Sequence, residues 1–207
     1  MNTKIFLASR SRVLLHQIFK AFEMDKQKTR CLFITTASEK QKNTDYLEED
    51  KKAWTDFGVN YELYSITGKT KDELNSKLSN IDLVYVAGGN TFHLLAEAKK
   101  SGFIELIKEF VANGGAYVGT SAGTLIASSD IDYVNTPDEE GLKQKLPDTK
   151  AIGFIEAEFY VHIGSQKRAY HKMQMFLNAY FREARQILLT DNQEILVSDG
   201  WIKYLQA

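Results

Sequence analysis

The chain has 207 residues, 43% of them hydrophobic and 26% charged, with a formal net charge of -1. These values fit one domain, residues 1–207, with enough chain to bury a substantial core. The near-neutral balance speaks against a nucleic-acid partner or a strongly acidic substrate, and no stretch reaches the roughly 18 apolar residues of a membrane span.

Lys4–Ala8 reads as a strand and Val13–Phe22 as an amphipathic helix. Thr29–Thr35 is rich in β-branched residues and predicts a second strand. Its Cys31 is the single cysteine, which excludes an internal disulfide and a cysteine-based metal site and reads as a small buried hydrophobe. Asp45–Phe57 predicts a charged surface helix closed by Gly58, and Tyr61–Ser65 a third strand. Thr70-Lys71-Asp72-Glu73 has the spacing of a capping box and opens a short helix. Ile81–Ala87 predicts a buried strand that runs into Gly88-Gly89-Asn90-Thr91, with helical periodicity from Phe92. Phe103–Val111 reads as a helix stopped by Asn113-Gly114-Gly115. Ala116–Gly119 is a short strand followed at once by Ser121 and a helical Leu125–Ser128. This alternation predicts an α/β fold, a mostly parallel sheet with helices on both faces.

The last third differs. Asp130–Lys150 is polar, carries both prolines (Pro137 and Pro147) and reads as a long excursion. Ala151–Val161 reads as a strand or bent strand, and Arg168–Arg185 has helical spacing at Tyr170, Met173, Phe176, Leu177 and Tyr180. Gln186–Leu189, Glu194–Val197 and Trp201–Leu205, punctuated by Asp191-Asn192 and Asp199-Gly200, predict an antiparallel meander at the C-terminus.

The sharpest chemical feature is Gly119-Thr120-Ser121-Ala122-Gly123, a G-x-S-x-G pentapeptide between a strand and a helix. A strand that turns sharply into a helix holds the tip residue strained and needs small neighbours where the backbone folds back. Ser121 would present its hydroxyl above the sheet, with the next helix's free N–H groups and dipole beside it. A structural turn with a helix-capping serine is the plainer reading of the same residues. Gly88-Gly89 lies at another strand end, where backbone N–H groups can approach a substrate and hold an oxyanion, with Asn90 or Thr91 facing the substrate or capping the helix. Neither G-x-G-x-x-G nor a P-loop is present, so no nucleotide cofactor is expected, and no His-x-x-x-His pair predicts a metal.

A serine hydroxyl needs a base. Of four histidines, His16 and His171 lie on amphipathic helices and read as surface or packing residues. His93 falls on the oxyanion side, and His162, at a strand end before Ile163-Gly164, is the better placed. A carboxylate should orient the imidazole. Asp191 in the late turn is one candidate, with Asp130, Asp132 and Glu158 as competitors that spacing does not separate.

Taken together, Val84-Tyr85-Val86-Ala87-Gly88-Gly89-Asn90-Thr91-Phe92-His93-Leu94-Leu95, Gly119-Thr120-Ser121-Ala122-Gly123 and Phe159-Tyr160-Val161-His162 resemble the peptidase E (S51) family of serine peptidases, in its divergent peptidase E-like branch. The resemblance implies a fold similar to class I glutamine amidotransferases and hydrolysis of short peptides, typically dipeptides with an N-terminal aspartate. It implies Ser121 as nucleophile, His162 as base, Asp191 as the acidic member, and the Gly89 and Ala122 N–H groups as the oxyanion hole. It also implies a substrate-reading cation after His162, for which Lys167 and Arg168 are the nearest basic residues. Another acyl hydrolase acting on esters or other amides, or a non-catalytic small-molecule binding protein of the same fold, are the alternative readings. With no export signal in Met1–Arg10 and no disulfide, the cytoplasm is the expected compartment, and a homodimer is possible on base rate.

Overall fold

The computed structural model describes residues 3–10, 15–134, 140–165, 173, 177, 182–198 and 201–206. Its centre is a seven-stranded sheet. Five strands run parallel: β1 (Lys4–Ala8), β2 (Cys31–Ile34), β3 (Tyr61–Tyr64), β4 (Leu83–Val86) and β5 (Ala116–Thr120). Counting the late strands β6 (Glu158–Ile163), β7 (Gln186–Thr190), β8 (Gln193–Ser198) and β9 (Trp201–Gln206), the order is β3-β2-β4-β5-β1-β8-β9, with β6 and β7 forming a separate pair.

The inner strands are apolar on both faces because helices cover both, as in other parallel sheets. Phe6, Phe33, Tyr85 and Val118 face one side, where they meet Ile18 and Phe19 of α1 (Leu15–Ala21) and Leu47 and Trp54 of α2 (Asp45–Phe57). Leu7, Ile34, Val86 and Tyr117 face the other. There they pack against α3 (Lys71–Leu78), α4 (Thr91–Lys100), α5 (Phe103–Ala112) and α6 (Ala122–Leu125).

Local signals set several boundaries. α2 ends where Gly58 takes φ 85° and returns its N–H to Thr55 and Trp54. α3 opens on a reciprocal box: Thr70 Oγ1 accepts the Glu73 N–H at 3.3 Å, and Glu73 Oε2 accepts the Thr70 N–H at 2.8 Å.

Four expectations need correction. The helix after Ser121 begins at once, at Ala122, and ends at Leu125 rather than running over Leu125–Ser128. Of the predicted strand Ala151–Val161, only the part from Glu158 is regular. Residues 151–154 instead donate to the turn after α6, with Ala151, Ile152, Gly153 and Phe154 bonding Ser129, Ile126, Ser128 and Ala127. The polar excursion holds a short helix, α7 (Glu140–Lys143), and is closed by a bridge between Asp130 and Lys150. Finally, β7 is not part of the meander. It pairs in parallel with β6, while β8 takes the free edge of β1 and pairs antiparallel with both β1 and β9. At the turn between β7 and β8, Gln193 Oε1 accepts the Thr190 N–H at 3.1 Å. Of the predicted helix over 168–185, Met173 and Leu177 are helical, residues 182–185 are not, and the rest lies outside the described residues, as does the Asp199-Gly200 turn.

Candidate active site

The C-terminal ends of β4, β5 and β1 lie side by side, with Val86 in register with Gly119 and Ala8 in register with Thr120. Strand ends of an open α/β sheet form the usual ligand crevice, and the motif residues converge there. Ser121 leaves β5 at φ 49° and ψ −108°, a conformation sparsely used by residues with a side chain. The two flanking glycines are required by contact. A Cβ on Gly119 would lie 2.5 Å from the Gly123 carbonyl oxygen, and one on Gly123 would lie 2.2 Å from that of Val86. Hydrogen bonds lock the bend. The Ser121 N–H donates to Ala8 O at 3.0 Å, Tyr117 OH donates to Gly123 O at 2.6 Å, and Thr124 Oγ1 lies within 2.8 Å of both Ala8 O and Gly119 O.

Ser121 Oγ is 3.1 Å from His162 Nε2, and His162 Nδ1 is 2.5 Å from Asp191 Oδ1. A carboxylate only accepts, so Nδ1 carries the proton and Nε2 is left to accept from the Ser121 hydroxyl. A hydroxyl in this setting can pass its proton to the imidazole as it attacks an electrophile. His162 itself sits at φ 60°, where β6 slips register between Tyr160 and Ile163. Its N–H donates to Ser9 Oγ at 2.9 Å, and Ser9 Oγ donates to Leu189 O at 3.1 Å. The buried Ser9 hydroxyl thus ties β6 and β7 to the end of β1. The second oxygen of Asp191 is 3.3 Å from Arg10 Nε.

The competing carboxylates are engaged elsewhere. Asp130 accepts from Thr149 Oγ1 and the Asp132 N–H, Asp132 pairs with Lys143, and Glu158 pairs with Arg182 and Tyr160. Of the other histidines, exposed His16 packs edge-on against Phe57, and His171 lies outside the described residues.

The glycine pair abuts the serine: a Cβ on Gly88 would lie 3.0 Å from Ser121 Cβ. Gly89 takes φ 143° and presses against a short 3-10 helix at Thr36–Lys40, where a Cβ would meet Ala37 O at 2.2 Å. The Asn90 N–H donates to the same carbonyl at 2.7 Å, and Asn90 Oδ1 caps α4 by accepting the His93 N–H at 2.8 Å. Asn90 and Thr91 are both buried. His93 lies 2.9 Å from Glu39 Oε2 and so clamps α4 to the 3-10 helix. Burial pushes the Glu39 carboxyl up, but hydrogen bonds from Ser65, His93 and Thr67 outweigh it and leave Glu39 below the ordinary carboxylate range. Among the described residues, neither the Gly89 nor the Ala122 N–H donates to a protein acceptor. α6 is a single turn, so its dipole adds little, and these individual N–H groups are what the bend offers to negative charge.

Arg168 and Lys167 lie outside the described residues. Cys31 is buried on β2, on the sheet face covered by α1 and α2, where desolvation pushes its thiol well up, and it has no part in the site. Among the described residues no group of three or more His, Cys, Asp or Glu side chains could hold a metal ion, and no helix is long and apolar enough to cross a membrane. Ser9, Arg10 and Thr124 belong to no local motif, so no pattern in the sequence marks them.

The family model for peptidase family S51 matches residues 5–205. An uncharacterized peptidase from Listeria monocytogenes serovar 1/2a (strain EGD-e) is 33% identical over 84% of this chain and 78% of its own. An uncharacterized peptidase from Pasteurella multocida (strain Pm70) is 32% identical over 76% of this chain and 75% of its own. Among solved structures, a Listeria monocytogenes EGD-e protein provisionally assigned as a peptidase E superposes with a TM-score of 0.90 at 28% identity, covering 100% of both chains.

Proposed function

Because the chain belongs to peptidase family S51, we propose that it hydrolyses short peptides, of dipeptide length, through an acyl-enzyme on Ser121. The observation that carries this reading is the hydrogen-bonded series from Ser121 Oγ through His162 to Asp191. Ser121 Oγ attacks the scissile carbonyl carbon and gives its proton to His162 Nε2, while Asp191 stabilises the imidazolium. The carbonyl electron pair moves to oxygen, which the Gly89 and Ala122 N–H groups hold. Each such donor contributes ~3–4 kcal/mol to the transition state in comparable sites. His162 then delivers the proton to the amine as the C–N bond breaks. Water, deprotonated by His162, cleaves the acyl ester and restores the serine.

The peptide enters over the loop that carries Asn90 and Thr91, and Arg168 supplies the cation for an acidic side chain. Ser121→Ala should abolish both dipeptide hydrolysis and labelling by a fluorophosphonate probe, with the circular dichroism spectrum unchanged. Labelling retained in that variant overturns the nucleophile assignment. A panel of dipeptides with and without N-terminal aspartate, run beside short esters, tests the substrate class.

A further inference from the structure

β1 ends at Ala8, and the chain then turns directly into the site through Ser9 and Arg10. Arg10 is 38% exposed and Asp191 30%, so the pair stands at the rim of the site, in reach of water. The two oxygens of Asp191 are divided between two cationic or proton-donating partners. Oδ1 accepts from His162 Nδ1 at 2.5 Å, and Oδ2 faces Arg10 Nε at 3.3 Å. A guanidinium on the far oxygen restrains the rotation of the carboxylate. It also offsets part of the negative charge that the imidazole meets.

We infer that Arg10 is a positioning residue of this enzyme, holding the Asp191 carboxylate against His162 and setting how strongly that carboxylate favours the protonated imidazole. The inference rests on the reading of Ser121, His162 and Asp191 as the hydrolytic series. Among the described residues, the groups in contact with the imidazole are Ser121 from the end of β5 and Asp191 from the β7–β8 turn. Arg10 from the end of β1 acts through Asp191. β8 contributes Gln193, which carries no charge, and Glu194, which burial keeps protonated until about pH 8. The sign follows from charge: without the guanidinium, Asp191 holds the imidazolium more strongly, and more base is needed to free His162 for catalysis.

The test uses the full chain in three forms: wild type, Arg10→Gln and Arg10→Lys. The readouts are the pH profile of kcat/KM and the titration of the His162 ring by NMR, its resonance identified by its loss in His162→Gln. In Arg10→Gln the acid limb and the NMR midpoint should both move up by about half to one pH unit, for a charge one carboxylate away at an intermediate dielectric. On the plateau kcat should fall about five-fold with KM little changed, because an ion pair that orients the carboxylate against the base is gone. Arg10→Lys keeps the charge and should return both midpoints to within about 0.3 unit of wild type, while its point charge recovers less of kcat. Midpoints that stay put in Arg10→Gln, or that fail to return in Arg10→Lys, overturn the inference. If Ser121→Ala is inactive and the Arg10→Gln midpoints stay put, the hydrolytic series stands and only the role of Arg10 falls. If Ser121→Ala still turns over peptide, the series falls and the role of Arg10 with it.

Discussion

Glu194 is the one carboxyl in the described structure that is wholly buried with neither oxygen hydrogen-bonded to a described partner. It lies on β8 between Ala8 of β1 and Leu205 of β9, directly behind the strand end that carries Ser9. Desolvation disfavours its charged form and pushes its pKa up to about 8. An unfolded glutamate titrates near 4.3. The native state therefore holds the proton more tightly than the unfolded chain. Below about pH 4.3 both states are protonated and there is no penalty. Above it, the unfolded chain ionises while the native side chain does not, and stability falls by about 1.4 kcal/mol per pH unit until it levels off near pH 8. At pH 7 the loss amounts to roughly 3–4 kcal/mol. Glu194→Gln keeps the shape of the neutral acid and cannot ionise, so it removes this loss. Its additional N–H must be buried, which returns about 1–2 kcal/mol of cost at every pH. A net gain of about 2 kcal/mol at pH 7 is expected. The cleaner quantity is the change in the variant's advantage from pH 5 to pH 8, roughly 3–4 kcal/mol, because the constant amide cost cancels. Urea unfolding of both proteins at four pH values, with equal m-values, measures it. Parallel pH profiles would refute the reasoning, for they would mean that Glu194 is already ionised and stabilised in the native protein.

Two further exchanges probe the site's scaffold. Gly89→Ala places a Cβ 2.2 Å from Ala37 O at φ 143°. It should cut kcat by about 10²–10³-fold by displacing a proposed oxyanion donor, and lower the thermal midpoint, as steady-state kinetics and calorimetry would show. Ser9→Ala removes the acceptor of the His162 N–H and the donor to Leu189 O. It should cost about 1–3 kcal/mol in urea unfolding and lower kcat by about tenfold, and a kcat equal to wild type would show that the φ 60° backbone of His162 holds itself.

How far the fold could be read follows from where each signal resides. α2 and the start of α3 are legible to the residue because a left-handed glycine and a reciprocal cap are local devices, complete within four residues. The parallel strands were legible because burial on both faces leaves unbroken apolar runs, such as Leu83–Val86. β7 was not. Its alternating Ile187 and Leu189 declare a strand with one buried face, but nothing in them names the edge they will join. That choice shows only in the folded sheet, where β8 takes the free edge of β1 and β7 pairs with β6. The start of the helix after Ser121 is masked in the sequence because Gly123 is a weak helix former, present for the close approach to Val86 and not for propensity.

The site divides along the same line. Ser121 and Gly89 stand in motifs because their requirement is backbone geometry, and only glycines or other small residues permit it. Asp191, Ser9 and Arg10 meet their partners across 29, 153 and 181 positions, where no spacing rule applies. One physical rule does reach them. In a parallel sheet every strand presents its C-terminal end to the same edge, so the residues just after β1, β4 and β5 must be neighbours whatever their separation in the chain. Once Lys4–Ala8 is read as a strand beside the one that carries Ser121, the next two residues are placed at the serine. A buried hydroxyl and a guanidinium at those two positions then have to be explained by the site rather than by the core.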